Sequence, residues 1–202
     1  MPAVRPDDLS CPRVRPASRV AGFTLIELVV TIAVLAILVA IAAPSFQGLI
    51  NSNRVTSSAN ELMAALQFAR SESMRRNVRT TVCQSGDGTS CSIGDTWPGW
   101  IVFTDLDRDD VPDAGEVMRV GVVAAPVQLA NSSNIASNRF SFRPDGMARS
   151  SGTALLNAAL RVCMKTNTPP ENARDVEIGS GSRIRVASIN ATTACTTPAN
   201  PS

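Results

Sequence analysis

Polar and apolar positions follow three different rhythms along this chain, and each predicts a different element. The run FTLIELVVTIAVLAILVAIAA, Phe23 to Ala43, has 21 residues and one charge, Glu27. At about 1.5 Å per residue it spans roughly 30 Å, the thickness of a hydrocarbon core, which predicts a transmembrane helix over 23–43. Pro44 is placed to kink it, and helix formers continue through 44–77 with Gly48 as the main breaker. Within that second segment Ala59, Leu62, Met63, Leu66, Ala69 and Ser73 recur at three- and four-residue spacing, giving one face to bury. From Val78 the rhythm shortens to β-rich runs broken by Gly, Pro, Asn and Asp: TTVCQ, GWIVFTD, EVMRVGVV, NRFSFRPDG, ALRVCMK, RDVEI and RIRVASI. The pattern predicts an α+β fold, a long N-terminal helix packed on a C-terminal antiparallel sheet domain over 78–202.

Glu27 is the anomaly in this pattern. An ionised carboxylate at the centre of a membrane helix costs on the order of 2.5 to 3.5 kcal/mol, so an acid kept in such a run calls for a partner. The plain alternative is a glutamate that snorkels from an ordinary anchor.

Composition narrows the chemistry. The chain has no His and no Tyr, which removes the commonest general base, leaves Asp, Glu and Cys as the plausible groups for acid–base or nucleophilic work, and argues against an enzyme. It shows no Gly-rich phosphate loop and no feature that calls for a small-molecule substrate. Net charge is +2 over 202 residues, but the distribution is uneven: 80–138 holds eight acids against two arginines, and 139–202 holds eight bases against four acids. That predicts an electrically two-faced domain. Cys11 precedes the apolar run, whereas Cys83, Cys91, Cys163 and Cys195 follow it, an even set suited to an oxidising compartment. Of the three connectivities open to four cysteines, the sequence-local one, Cys83 with Cys91 and Cys163 with Cys195, is expected; four buried free thiols are the alternative.

The segment before the run, MPAVRPDDLSCPRVRPASRVAG, is polar and rich in Arg and Pro. The apolar run is too long for a secretory signal and no small-residue cleavage site follows it. The positive-inside rule keeps residues 1–22 cytoplasmic and sends the chain after Ala43 across the membrane, in agreement with the cysteines.

Gly22, Phe23, Thr24, Leu25, Ile26, Glu27 and Leu28 form the box GFTLIEL, which resembles the class III leader of type IV pilins and type II secretion pseudopilins. The resemblance implies that a prepilin peptidase removes 1–22 by cutting after Gly22 and methylates Phe23. It also implies a partner for Glu27: the N-terminal amine of a neighbouring subunit in a filament. A carboxylate and an ammonium buried together offset each other's desolvation, whereas either alone is expensive. LQFARSESMRRNVRTTVCQ, the GWIVFTD run with its acidic tail, and FRPDGMARSSGTA further resemble the GspH/FimT branch of minor pilins and pseudopilins.

DLDRDDVPDAGE places Asp105, Asp107, Asp109, Val111, Asp113 and Glu116 at positions 1, 3, 5, 7, 9 and 12, the ligand spacing of a calcium loop. Asp110 stands where the sharp turn favours Gly, and the flanks read as strands, so a solvated acidic turn is the competing reading.

In ARDVEIGSGSRIRVAS, Arg183 and Arg185 alternate with Ile184 and Val186 and share one face, about 7 Å apart, a spacing that can follow a phosphate backbone. FimT-type pilins linked to DNA uptake carry a Gly-Arg-x-Arg signature at a similar place; here Ser182 precedes Arg183 and the glycine, Gly181, is one step back. A three-residue loop over 179–181 would set Glu177 opposite Arg183 and Asp175 opposite Arg185, pairing both arginines.

The combined expectation is a single-pass inner-membrane subunit with a periplasmic domain, working by polymerisation with other pilins or pseudopilins. Three roles share its leader and helix: subunit of a type IV pilus, H-type pseudopilin of a type II secretion system, and pilus-borne DNA receptor. Calcium is the one candidate cofactor and DNA the one candidate ligand beyond the filament.

Overall fold

The computed structural model describes residues 22–150 and 153–201. The expected leader up to Ala21, with Cys11, lies outside the described residues, and so does the side chain of Pro44. The chain divides into two compact units, the first ending at Ala42 and the second covering Ala43–Ser202. Helix α1, Leu25–Arg76, contributes to both.

In the first unit every described residue is exposed, including Phe23, Leu25, Ile26, Leu28 and the following valines, isoleucines and leucines. The helix is long and apolar enough to cross a membrane, with a mean hydropathy of 2.9 in its most apolar 18-residue window.

The second unit holds the C-terminal part of α1 and nine strands: β1 Thr80–Gln84, β2 Gly99–Thr104, β3 Val117–Val122, β4 Val127–Asn131, β5 Arg139–Phe142, β6 Ala148–Arg149, β7 Ala158–Met164, β8 Ala173–Ile178 and β9 Ile184–Ile189. They form two antiparallel sheets in the orders β3-β2-β1-β5-β6 and β4-β7-β8-β9. The stripe read from the sequence is the buried face of α1: Ala59, Leu62, Leu66, Ala69 and Ser73 are at most 1% exposed, Val55 and Ala65 extend it, and Met63 packs at its margin. It meets Val82, Val102, Phe140 and Phe142 from one sheet and Leu129, Leu160, Val176 and Ile178 from the other in a single core. The helix ends where Asn77 turns left-handed at φ 56°. The Val78 N–H then donates to the Ser73 carbonyl at 3.2 Å, the Schellman closure with Asn in the place usually held by Gly.

Both sheets are also covered on their outer faces, which explains why β1, β2 and β7 are buried at every position. Over the first sheet, Cys83, Ile101 and Phe103 form a small second core with Cys91 and Val117 packed on it. Over the second, Cys163 and Ala173 are capped by Ala191, Ile189 and Cys195, so the C-terminal tail crosses the sheet. Two strands escape the sequence reading. β4 follows Pro126 and holds one β-branched residue in VQLAN, and β6 is two residues long.

Candidate functional site

At the N-terminus Gly22 and Phe23 precede the helix, and Thr24 caps it. The Glu27 N–H donates to Thr24 Oγ1 at 3.3 Å and the Leu28 N–H to the Thr24 carbonyl at 3.1 Å. GFTLIEL therefore contains a Thr-x-x-Glu helix start, a signal legible in the sequence though not read there. It places the Glu27 carboxylate in the first turn of α1, where the helix dipole favours an anion.

In the second unit Cys83 is bonded to Cys91 and Cys163 to Cys195, the sequence-local connectivity. The first bridge ties the segment after β1 over Ile101 and Phe103; the second ties the tail over β7. The tail is held further by Arg161 Nη1, which donates to the Thr196 carbonyl at 3.0 Å, and by Asn172 Nδ2, which donates to the Thr192 carbonyl at 2.6 Å.

The β8–β9 hairpin corrects the register read from the sequence. Its pairs are Ile178 with Ile184, Glu177 with Arg185, Val176 with Val186 and Asp175 with Ala187. The loop is thus five residues, 179–183, and not three. The apolar residues keep their common face because the loop length remains odd. The extra length has a physical cause in Ser182, which is fully buried and left-handed at φ 57°. Its Oγ accepts the Ala148 N–H at 2.6 Å and its carbonyl accepts Arg70 Nη1 at 2.8 Å, so the turn is drawn in against β6 and α1. Consequently Arg185 pairs with Glu177. Asp175 pairs with Arg161 on β7, and no acid stands opposite Arg183 in the ladder. Arg183 and Arg185 are both exposed and line, with Glu177 and Pro201, a depression of about 250 Å³ beside the turn.

The acidic loop joins β2 to β3. Carboxylate oxygens of Asp105, Asp107 and Asp109 lie within 4.8 Å of one another. The six-residue ligand set expected from the spacing is not assembled as a whole. Glu116 turns both oxygens to the backbone, accepting the Leu106 N–H at 2.8 Å and the Asp113 N–H at 3.0 Å. Asp110, in the sixth place, adopts the left-handed backbone at φ 63° that Gly would favour. Asp105 is fully buried; one oxygen meets Arg79, which also pairs with Asp110 at 3.1 Å. Partial desolvation, then the charges of Asp109, Asp113 and Glu116, raise the Asp107 carboxyl above its ordinary value.

The charge segregation seen along the sequence does not persist here. β5, the turn after it and β6 return Arg139, Arg143 and Arg149 to the sheet that carries the acidic loop, around a cavity of about 250 Å³ that Arg79 and Asp110 also line. Arg139 Nη1 donates to the Asp110 carbonyl at 2.8 Å. Arg79 and the Arg161–Asp175 pair are the structural charges that sequence reasoning missed; single charges at facing positions of adjacent strands were the available signal.

Residues 58–188 match the family model for type II transport protein GspH, and residues 17–43 match that of the prokaryotic N-terminal methylation motif. Among curated proteins no match was found. Solved structures similar to this chain include the type IV minor pilin FimU of Pseudomonas aeruginosa, at 22% identity, covering 67% of this chain and 90% of that one with a TM-score of 0.48. The minor pseudopilin EpsH of the Vibrio cholerae type 2 secretion system aligns at 10% identity over 67% of this chain and 97% of that one, with a TM-score of 0.47.

Proposed function

The chain belongs to the family of type II transport protein GspH and bears the N-terminal methylation motif, and on that premise we propose that it is a minor filament subunit which docks helix against helix in the inner membrane and is then drawn into a type IV pilus or a closely related filament. Subunits of the minor pilin and pseudopilin kind are anchored by an apolar N-terminal helix, and this chain has one. The observation that carries the proposal is the first unit: an apolar helix exposed on all sides, with one acid in its opening turn. Such a surface is stable only in lipid or against other helices. Removal of the leader after Gly22 by a prepilin peptidase would expose an amine at Phe23, four residues from Glu27. The pairing is intermolecular in this reading: the amine of one subunit meets Glu27 of the next. The second unit then lies in the periplasm, where both disulfides persist.

The test is incorporation. Glu27→Ala should insert into the membrane as well as the parent or better, because a lone carboxylate hinders insertion, yet be depleted from sheared filaments. Incorporation at the parent level would defeat the pairing. Intact mass of the membrane-extracted protein checks the processing: a mature chain beginning at Phe23 is expected.

A second reading, contact with DNA, is favoured by one specific observation. The five-residue turn leaves Arg183 exposed and without an acid opposite it in the ladder. Scoring twitching, DNA uptake and exoprotein secretion side by side in a deletion strain separates pilus, receptor and secretion roles.

A further inference from the structure

We propose that Asp105, Asp107 and Asp109 form a calcium site built on the first half of the β2–β3 loop. Three observations carry it. The ligand oxygens of the three residues all lie within 4.8 Å of one another, close enough for one ion with calcium–oxygen distances of about 2.4 Å to touch all three. Asp105 is fully buried, its Oδ2 meets Arg79, and its Oδ1 is buried with no hydrogen-bond partner among the described residues. An unpaired buried carboxylate oxygen is costly, and a cation seated among the three side chains supplies the missing contact. Finally, Asp107 and Asp109 are exposed, which leaves that side of the site open to the waters a calcium ion needs to complete six to eight ligands.

The backbone is already shaped for this. Asp109 Oδ1 accepts the Val111 N–H at 2.7 Å and Asp110 takes the left-handed turn, so the loop folds back on its own carboxylates. Glu116 serves as a backbone clamp and is not a ligand; Arg79 balances Asp105 and Asp110 but pairs with neither Asp107 nor Asp109. The ion therefore answers the charge that the protein leaves uncompensated. Magnesium, with its tighter octahedron and reluctance to shed water, suits three carboxylates on one short loop less well.

The experiment uses the full-length protein in detergent, melted in calcium chloride, magnesium chloride or chelator, with calorimetric titration of calcium alone. Calcium at a hundredfold excess over its dissociation constant should raise the melting temperature by about 5 to 10 °C, and magnesium by clearly less. Asp107→Asn with Asp109→Asn should remove the calcium shift and the binding heat while melting within a few degrees of the parent in chelator, since both side chains are exposed. Absence of binding heat up to about 10 mM calcium, beyond the weakest extracellular sites, overturns the proposal. So does a shift equal in magnesium, or one that survives in the double variant.

Discussion

Arg161 on β7 and Asp175 on β8 face each other as a bidentate pair: Arg161 Nε and Nη2 each donate to a separate Asp175 oxygen at 2.7 Å. Both residues are at least nine-tenths buried, at 9% and 5% exposure, because the C-terminal tail lies across them and Thr196 takes a third guanidinium hydrogen bond. This engages Asp175 away from the arginines of the β8–β9 hairpin and makes it a structural residue.

Asp175→Asn should therefore lower stability by about 3 to 5 kcal/mol, the cost of leaving a buried charge without its counter-ion. The double change Arg161→Met with Asp175→Leu should cost much less than the sum of the single changes, since it removes both desolvation penalties together. Thermal unfolding of the oxidised full-length protein in detergent reads both. Additive losses would mean that the two side chains act independently.

A pH dependence follows from Glu72 near the end of α1. Hydrogen bonds and charge from Arg75 and Arg76 hold its carboxyl at about 2, below its ordinary value of 4.5. A depressed folded value means that Glu72 stabilises the fold fully above about pH 4.5 and that this contribution fades as pH falls towards 2. Glu72→Gln should flatten that part of the curve and leave a smaller difference from the parent at pH 2 than at pH 7. Melting temperatures measured across that range check it; parallel curves would show that other carboxylates carry the acid limb.

Ser182 holds a backbone conformation that favours Gly and two hydrogen bonds that Gly can supply only in part. Ser182→Ala keeps the strain and leaves the Ala148 N–H without its acceptor, which should cost about 1 to 3 kcal/mol. Ser182→Gly relieves the left-handed backbone and should recover part of that loss, placing its stability between Ala and the parent. Denaturant midpoints of the three proteins give the order. A Gly variant below Ala would mean that backbone strain is negligible here.

The same residue shows why part of the fold was legible in the sequence and part was not. The α1 stripe could be read because helical spacing by itself brings Ala59, Leu62, Leu66 and Ala69 to one face, and seven strands because their β-branched runs are bounded by turn residues. The β8–β9 register could not, because it depends on long-range contacts of Ser182 with Ala148 and Arg70 that no local pattern encodes. β4 was hidden for a related reason: VQLAN has little strand propensity and is held by pairing with β7, while its Leu129 enters the shared core. At the acidic loop the spacing singled out Asp105, Asp107 and Asp109, whose carboxylate oxygens the fold brings together, along with Glu116, whose oxygens accept from two backbone N–H groups.

The corrected register also changes what DNA binding would look like. Arg183 lies in the turn, exposed and facing no acid in the ladder, whereas Arg185 is held by Glu177 across the strand pair. If this hairpin meets phosphates, Arg183 supplies most of the contact, so Arg183→Gln should weaken binding to duplexes of any sequence more than Arg185→Gln does. Glu177→Gln removes the one acid facing Arg185 and releases its guanidinium, so affinity should rise. The salt dependence should steepen with it, from a slope of log K against log salt near −0.9 for one neutralised phosphate towards about twice that for two. None of these changes should move the melting temperature by more than a degree or two, because exposed ion pairs contribute about 0.2 to 1 kcal/mol. Anisotropy titrations of a labelled duplex with the full-length protein in detergent, at two salt concentrations, give all three slopes. Affinity that is indifferent to Arg183→Gln would remove this turn as a DNA contact. Loss of affinity in Glu177→Gln would show that the acid positions Arg185 for the phosphate and does not compete with it.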